Sequence, residues 1–73
     1  MRDVPIRGDE IGLGQLLKFV GIAESGGAAR ALLEDGGVRV NGEAEGRRGR
    51  RLHDGDVVEV AGEEPLRVVA GGG

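Results

Sequence analysis

Residues 36–56 read GGVRVNGEAEGRRGRRLHDGD, and the reading of this stretch decides the fold. Val38 and Val40 flank Arg39, the period-two alternation of a strand buried on one face. Asn41-Gly42 follows directly, a dipeptide suited to a tight turn that needs positive φ. Arg47, Arg48, Arg50 and Arg51 then surround Gly49. Asp54-Gly55 is a second turn signal, and Val57, Val58 and Val60 supply strand material after it. Two strands are therefore expected to hold a flexible, arginine-rich loop between them.

Working outward, Leu13, Leu16, Leu17 and Val20 recur at i, i+3, i+4 and i+7, one face of a helix. Gln15, Lys18 and Phe19 fall beside or opposite that face, and Gly21 ends it. Ser25 is a good N-cap for a second helix, with Ala28, Ala29, Leu32 and Leu33 as its apolar stripe. Ala28 stands where a capping box would place Glu, so the cap is single. Arg30 and Glu34 share another face, and Gly36-Gly37 stops the helix. Residues 4–7 alternate as a short edge strand, because Pro5 cannot donate to a ladder. Residues 66–69 make a last strand, and residues 71–73 a flexible glycine tail.

This order predicts one α+β domain over residues 1–70, with two packed helices against a small antiparallel sheet. Leu16, Leu17, Val20, Leu32, Leu33, Val38, Val40 and Val58 are its expected core. A chain of 73 residues buries only a modest core. Phe19 is the only aromatic residue, so the core must be Val, Leu, Ile and Ala. There is no cysteine to form a disulfide or a thiolate metal site. No apolar run reaches membrane-spanning length, and no signal-type segment follows Met1. A cytoplasmic, monomeric protein without membrane contact is expected.

The net charge is −3, but it is unevenly spread. Residues 36–51 hold five arginines against two acids, and the rest holds five basic residues against eleven acids. Binding responds to local potential more than to total charge. Four guanidinium groups within residues 47–51 repel one another unless anions are near, and Arg suits phosphate through its fork of donors. A solvated, charge-rich loop is the bland alternative. With one aromatic, single-strand readout by base stacking is the less expected mode, whereas backbone recognition of structured RNA needs only spaced cations. Catalysis is not expected. His53 is the sole histidine and sits at a turn, and Asp54 and Asp56 read as turn formers. No cofactor and no metal are implied.

Four segments together carry a resemblance. They are Leu16-Leu17-Lys18, Glu24-Ser25-Gly26-Gly27-Ala28-Ala29-Arg30, Gly37-Val38-Arg39-Val40-Asn41-Gly42-Glu43, and Leu52 with Gly55-Asp56-Val57-Val58. In this order and spacing the chain resembles the S4 RNA-binding domain, and in particular the short, free-standing bacterial proteins of the YbcJ-like group. The resemblance implies RNA held across the helix pair and the adjoining loop, without catalysis. Carried over by position, Lys18, Arg30 and Arg39 join Arg47, Arg48, Arg50 and Arg51 as the RNA-binding residues. Ribosomal RNA, transfer RNA and small RNA are all compatible. Many S4 domains carry arginine where this chain has Gly12 and Gly26, which shifts weight onto the arginine loop.

A second resemblance competes. The β-grasp sulfur carriers of the ThiS or MoaD kind can show a Val-Asn-Gly-Glu turn, a late Gly-Asp-x-Val strand and a Gly-Gly end. Residues 40–43, residues 55–58 and Gly72-Gly73 fit that pattern. Two features count against it: a Ser25-capped helix so soon after the first, and a further strand beyond Gly55-Asp56.

Overall fold

Two strands, two helices and five further strands follow one another along residues 1–71, the part of the chain that the computed structural model describes. Gly72 and Gly73 of the expected tail, and of the sulfur-carrier pattern, lie outside the described residues. The order is β1 (Arg2–Pro5), β2 (Glu10–Gly12), α1 (Leu13–Phe19), α2 (Gly26–Glu34), β3 (Val38–Val40), β4 (Glu43–Ala44), β5 (Arg51–His53), β6 (Val57–Val60) and β7 (Leu66–Val69).

Five strands form one sheet in the order β1-β7-β6-β3-β4. The pairs β7–β6, β6–β3 and β3–β4 are antiparallel. The pair β1–β7 is parallel, from Arg2 against Leu66 to Pro5 against Val69. The sheet is therefore mixed rather than antiparallel throughout. Parallel neighbours need a long crossover, and here both helices and the rest of the sheet supply it. The strand β1 lies at the edge, as Pro5 requires.

Alternation places one face of this sheet on the helices. Val4, Val38, Val40, Val58, Val60, Leu66 and Val68 are buried with Leu13, Leu16 and Leu17 of α1 and Ala29 and Leu33 of α2. Val20 and Leu32, expected in the core, are only partly buried at its rim. The helix α1 stops at Phe19, so Val20 is its C-cap and not part of the inward face. On α2, Ala29 and Leu33 take the inward direction, and Leu32 is turned about 100° away from Leu33. Ser25 caps α2 as expected, its hydroxyl accepting from the Ala28 amide at 3.1 Å.

The β3–β4 connection is the tight Asn41-Gly42 turn read from the sequence, closed into a two-residue hairpin by the short strand β4 that the reading did not include. Val40 pairs with Glu43, Asn41 has φ 52° and Gly42 has φ 84°. Asn41 also fastens the turn to β6. Its side-chain oxygen accepts from the Val57 amide at 2.9 Å, and its side-chain nitrogen donates to Asp56 Oδ1 at 3.1 Å.

A second, two-stranded ladder joins β2 to β5, with Ile11 opposite Leu52 and Gly12 opposite Arg51. Leu52 is fully buried, which anchors this ladder in the core. The ladder delivers the end of the arginine loop to the start of α1.

Candidate nucleic-acid interface

The arginine loop is built into the domain rather than suspended from it. The first amides of a helix have no partner inside the helix. Here the loop supplies two. The Leu13 amide donates to the Arg50 carbonyl at 2.9 Å, and the Gly14 amide donates to the Arg48 carbonyl at 2.9 Å. The absence of a side chain at Gly14 permits this approach, since a Cβ there would sit 3.3 Å from Arg48 Cβ. Gln15 Oε1 accepts from the Gly12 amide at 3.1 Å, which is the backward half of a capping box.

Glu45 holds the loop from within. It is the one buried charged side chain among the described residues, at 8% exposure. Its carboxylate accepts from the Arg47 amide at 3.1 Å, from Arg47 Nε at 3.2 Å and from Arg50 Nη1 at 2.8 Å. The side-chain hydrogen bonds from Arg47 and then Arg50 hold the Glu45 carboxyl down at about 2, against a smaller opposing effect of burial. The same contact pushes the Arg47 guanidinium up.

The four loop arginines thus divide. Arg47 and Arg50 serve Glu45. Arg51 lies 3.7 Å from Glu10, an exposed and loose pair. Among the described residues, neither Arg48 nor Lys18 has a carboxylate within ion-pair distance. Lys18, Arg48 and Arg51 line one depression of about 320 Å³, floored by Gly12, Gly14 and Gly49. Arg48 also extends over the start of α2, its Nη1 lying 3.8 Å from where a Gly26 Cβ would be.

The other two candidates stand apart. Arg30 lies one turn beyond Gly26 on α2, exposed, and donates to Glu34 at 2.9 Å. Arg39 points away from the core between buried Val38 and Val40, and lines a separate depression with Glu59 and Glu63. Lys18, Arg48 and Arg51 are brought together, Arg47 and Arg50 stand beside them but are engaged, and Arg39 is on another face. Glu45 and Gly14 were missed in the sequence. Two acids so near an arginine run carried a usable signal for Glu45, but nothing local marked Gly14.

His53, Asp54 and Asp56 make turn and ladder contacts. His53 Nε2 lies 3.2 Å from Glu10 Oε2 across the β2–β5 ladder. Asp56 accepts from the His53 amide at 2.7 Å, and Asp54 accepts from the Ala70 amide at 2.9 Å. Among the described residues no three His, Cys, Asp or Glu side chains converge to hold a metal ion. No helix is long and apolar enough to cross a membrane.

Two comparisons bear on this arrangement. The S4 domain family model matches residues 4–69. A protein of Bacillus subtilis (strain 168) described as probable ribosome maturation protein RlbA is 44% identical over 66 residues, which span 90% of this chain and 93% of that protein. Neither comparison supports a sulfur carrier. Both features that count against the carrier are present, the Ser25-capped α2 and the strand β7 beyond Gly55-Asp56.

Proposed function

The chain belongs to the S4 domain family, and we propose that it is a non-catalytic module that binds structured RNA mainly through phosphate contacts. The observation that carries this reading is the convergence of Lys18, Arg48 and Arg51 on one depression. Guanidinium forks match phosphate oxygens in geometry, and a lysine adds a point charge. The Glu45 cluster holds the loop backbone in place before RNA arrives, so less ordering has to occur on binding. Arg30 and the outer edges of Arg47 extend the surface, whereas Arg39 does not join it. The acidic remainder of the chain limits long-range attraction and leaves affinity to close contacts.

The RNA is proposed to be ribosomal, on the strength of the relative described as a probable ribosome maturation protein. The protein would then act in the cytoplasm, as a monomer. Crosslinking in cells followed by sequencing of the bound RNA tests this. Enrichment of ribosomal RNA or its precursors is the expected result. Enrichment of transfer RNA or a small RNA would keep the RNA-binding reading and overturn the ribosomal one, and no enrichment of any RNA would contradict both.

A further inference from the structure

We infer that Phe19 is a stacking platform for one unpaired base of the bound RNA, next to the phosphate-binding depression. This inference rests on the RNA-binding reading and deepens it. Phe19 is 65% exposed, and the only other large hydrophobic residue so exposed among the described residues is the terminal Met1. A single exposed apolar side chain is ordinary. Phe19 is different because it borders a second depression lined by Pro5, Ile6 and Ile11 together with Arg7, Glu10 and Gln15. The ring therefore flanks a partly apolar recess open to one side.

The position of that recess identifies its occupant. Gln15 lines both this recess and the depression of Lys18, Arg48 and Arg51, so the two are neighbours. Lys18 precedes Phe19 directly, and Gln15 lies one turn before it, about 6 Å along the axis. A backbone whose phosphates sit against Lys18 and Arg51 can turn a base onto Phe19 without leaving the surface. Arg7 also lines the recess and has no carboxylate within ion-pair distance among the described residues, so cations stand in the recess and in the depression beside it. Glu10 lines the recess too, and its exposed carboxylate, beside His53 and Arg51, keeps lone pairs for an exocyclic amine. Phosphate anchors flanking an aromatic face fit a nucleotide, whose base has an apolar face and whose backbone is anionic.

The test uses the full chain and two RNA hairpins with the same stem and the same closing loop. One stem is fully paired, and the other carries a single unpaired purine. Wild-type protein is expected to prefer the bulged stem. Phe19→Ala should lose about 5- to 150-fold in affinity for that stem, the range for one stacked base. Affinity for the paired stem and the salt dependence of both should stay unchanged. Phe19→Trp should restore binding, and an abasic nucleotide at the bulge should reproduce the loss in wild type. Phe19 adds little to the core, so the variants should keep the wild-type melting temperature.

If wild type and Phe19→Ala bind both stems alike, the stacking inference is overturned while the phosphate reading stands. Equal weakening on both stems also overturns it, since a base platform must distinguish them. If wild type binds neither stem, both readings fall.

Discussion

On one side of the arginine loop, Arg47 and Arg50 close on the buried carboxylate of Glu45. On the other, Arg48 and Arg51 share an open depression with Lys18. These are the same residue type, within residues 47–51. One pair balances a buried acid, although Arg47 itself stays largely exposed, and the other leaves Arg48 without a carboxylate partner and Arg51 only loosely paired with Glu10. Counting arginines therefore overstates the charge offered to a ligand, because the net contribution of Glu45, Arg47 and Arg50 is close to a single positive charge. The comparison also gives the inner pair a purpose, since a cluster of cations holds its shape only where something balances its repulsion.

The largest effect is expected from removing the core beneath both sides. Leu16 is fully buried in α1, behind the depression. Leu16→Ala should cost about 2–5 kcal/mol and, in so small a domain, could unfold it. Chemical denaturation reads this directly. Leu32→Ala should cost visibly less, because Leu32 is only partly buried.

Next in size is Gly42→Val. Gly42 sits at φ 84°, so a β-branched residue there should cost about 1–3 kcal/mol in thermal unfolding. It lines neither side of the loop, so the folded fraction should bind RNA as wild type does.

Glu45→Gln separates the two sides. Its folded carboxyl titrates at about 2 against an ordinary 4.5. A lowered value means the stabilisation is complete above the ordinary value and is lost as pH falls from about 4.5 toward 2. Melting curves across that interval should show the loss in wild type, and the Gln variant should lack that component. At neutral pH the variant should melt lower and bind RNA more weakly, because the loop is no longer held in place before binding, while the salt slope should not flatten, because no cation is lost.

A smaller effect is expected from Gly26→Arg. A Cβ there meets only Arg48 Nη1, at an ordinary 3.8 Å, so the position is open. One added phosphate contact should steepen the slope of log K against log salt by about 0.7–0.9. Gly12 is less suitable, since its Cβ would press on Gln15 Oε1 at 3.2 Å and disturb the Gln15–Gly12 contact.

Much of the fold was legible. The Val38, Val40 alternation, the Ser25 cap and the Asn41-Gly42 turn are signals carried within a few residues, and each is present. The β1–β7 pairing was not legible, because it joins Arg2 to Leu66 and nothing local announces a parallel neighbour. Leu33 and Leu32 were both assigned to the core because a helical stripe has soft edges, and the sheet decided between them. For the site, the arginines were obvious but their division was not. Glu45 selects Arg47 and Arg50 only after the loop has folded against Leu13 and Gly14. Arg39 could have been set aside from its own alternation, since a residue between two buried valines faces away from the helices.

The central claim is that the outer side of the loop binds RNA and the inner side builds it. Titration of one structured RNA at several salt concentrations tests this directly, using wild type, a Lys18→Gln, Arg48→Gln, Arg51→Gln variant, and an Arg47→Gln, Arg50→Gln variant. Three to four phosphate contacts imply a wild-type slope of roughly −2 to −4. The triple variant should flatten it by about 2 or more at an unchanged melting temperature, whereas the double variant should melt lower and change the slope by less than about 1. A triple variant with the wild-type slope, or a double variant that flattens it as much as the triple does, would contradict the account.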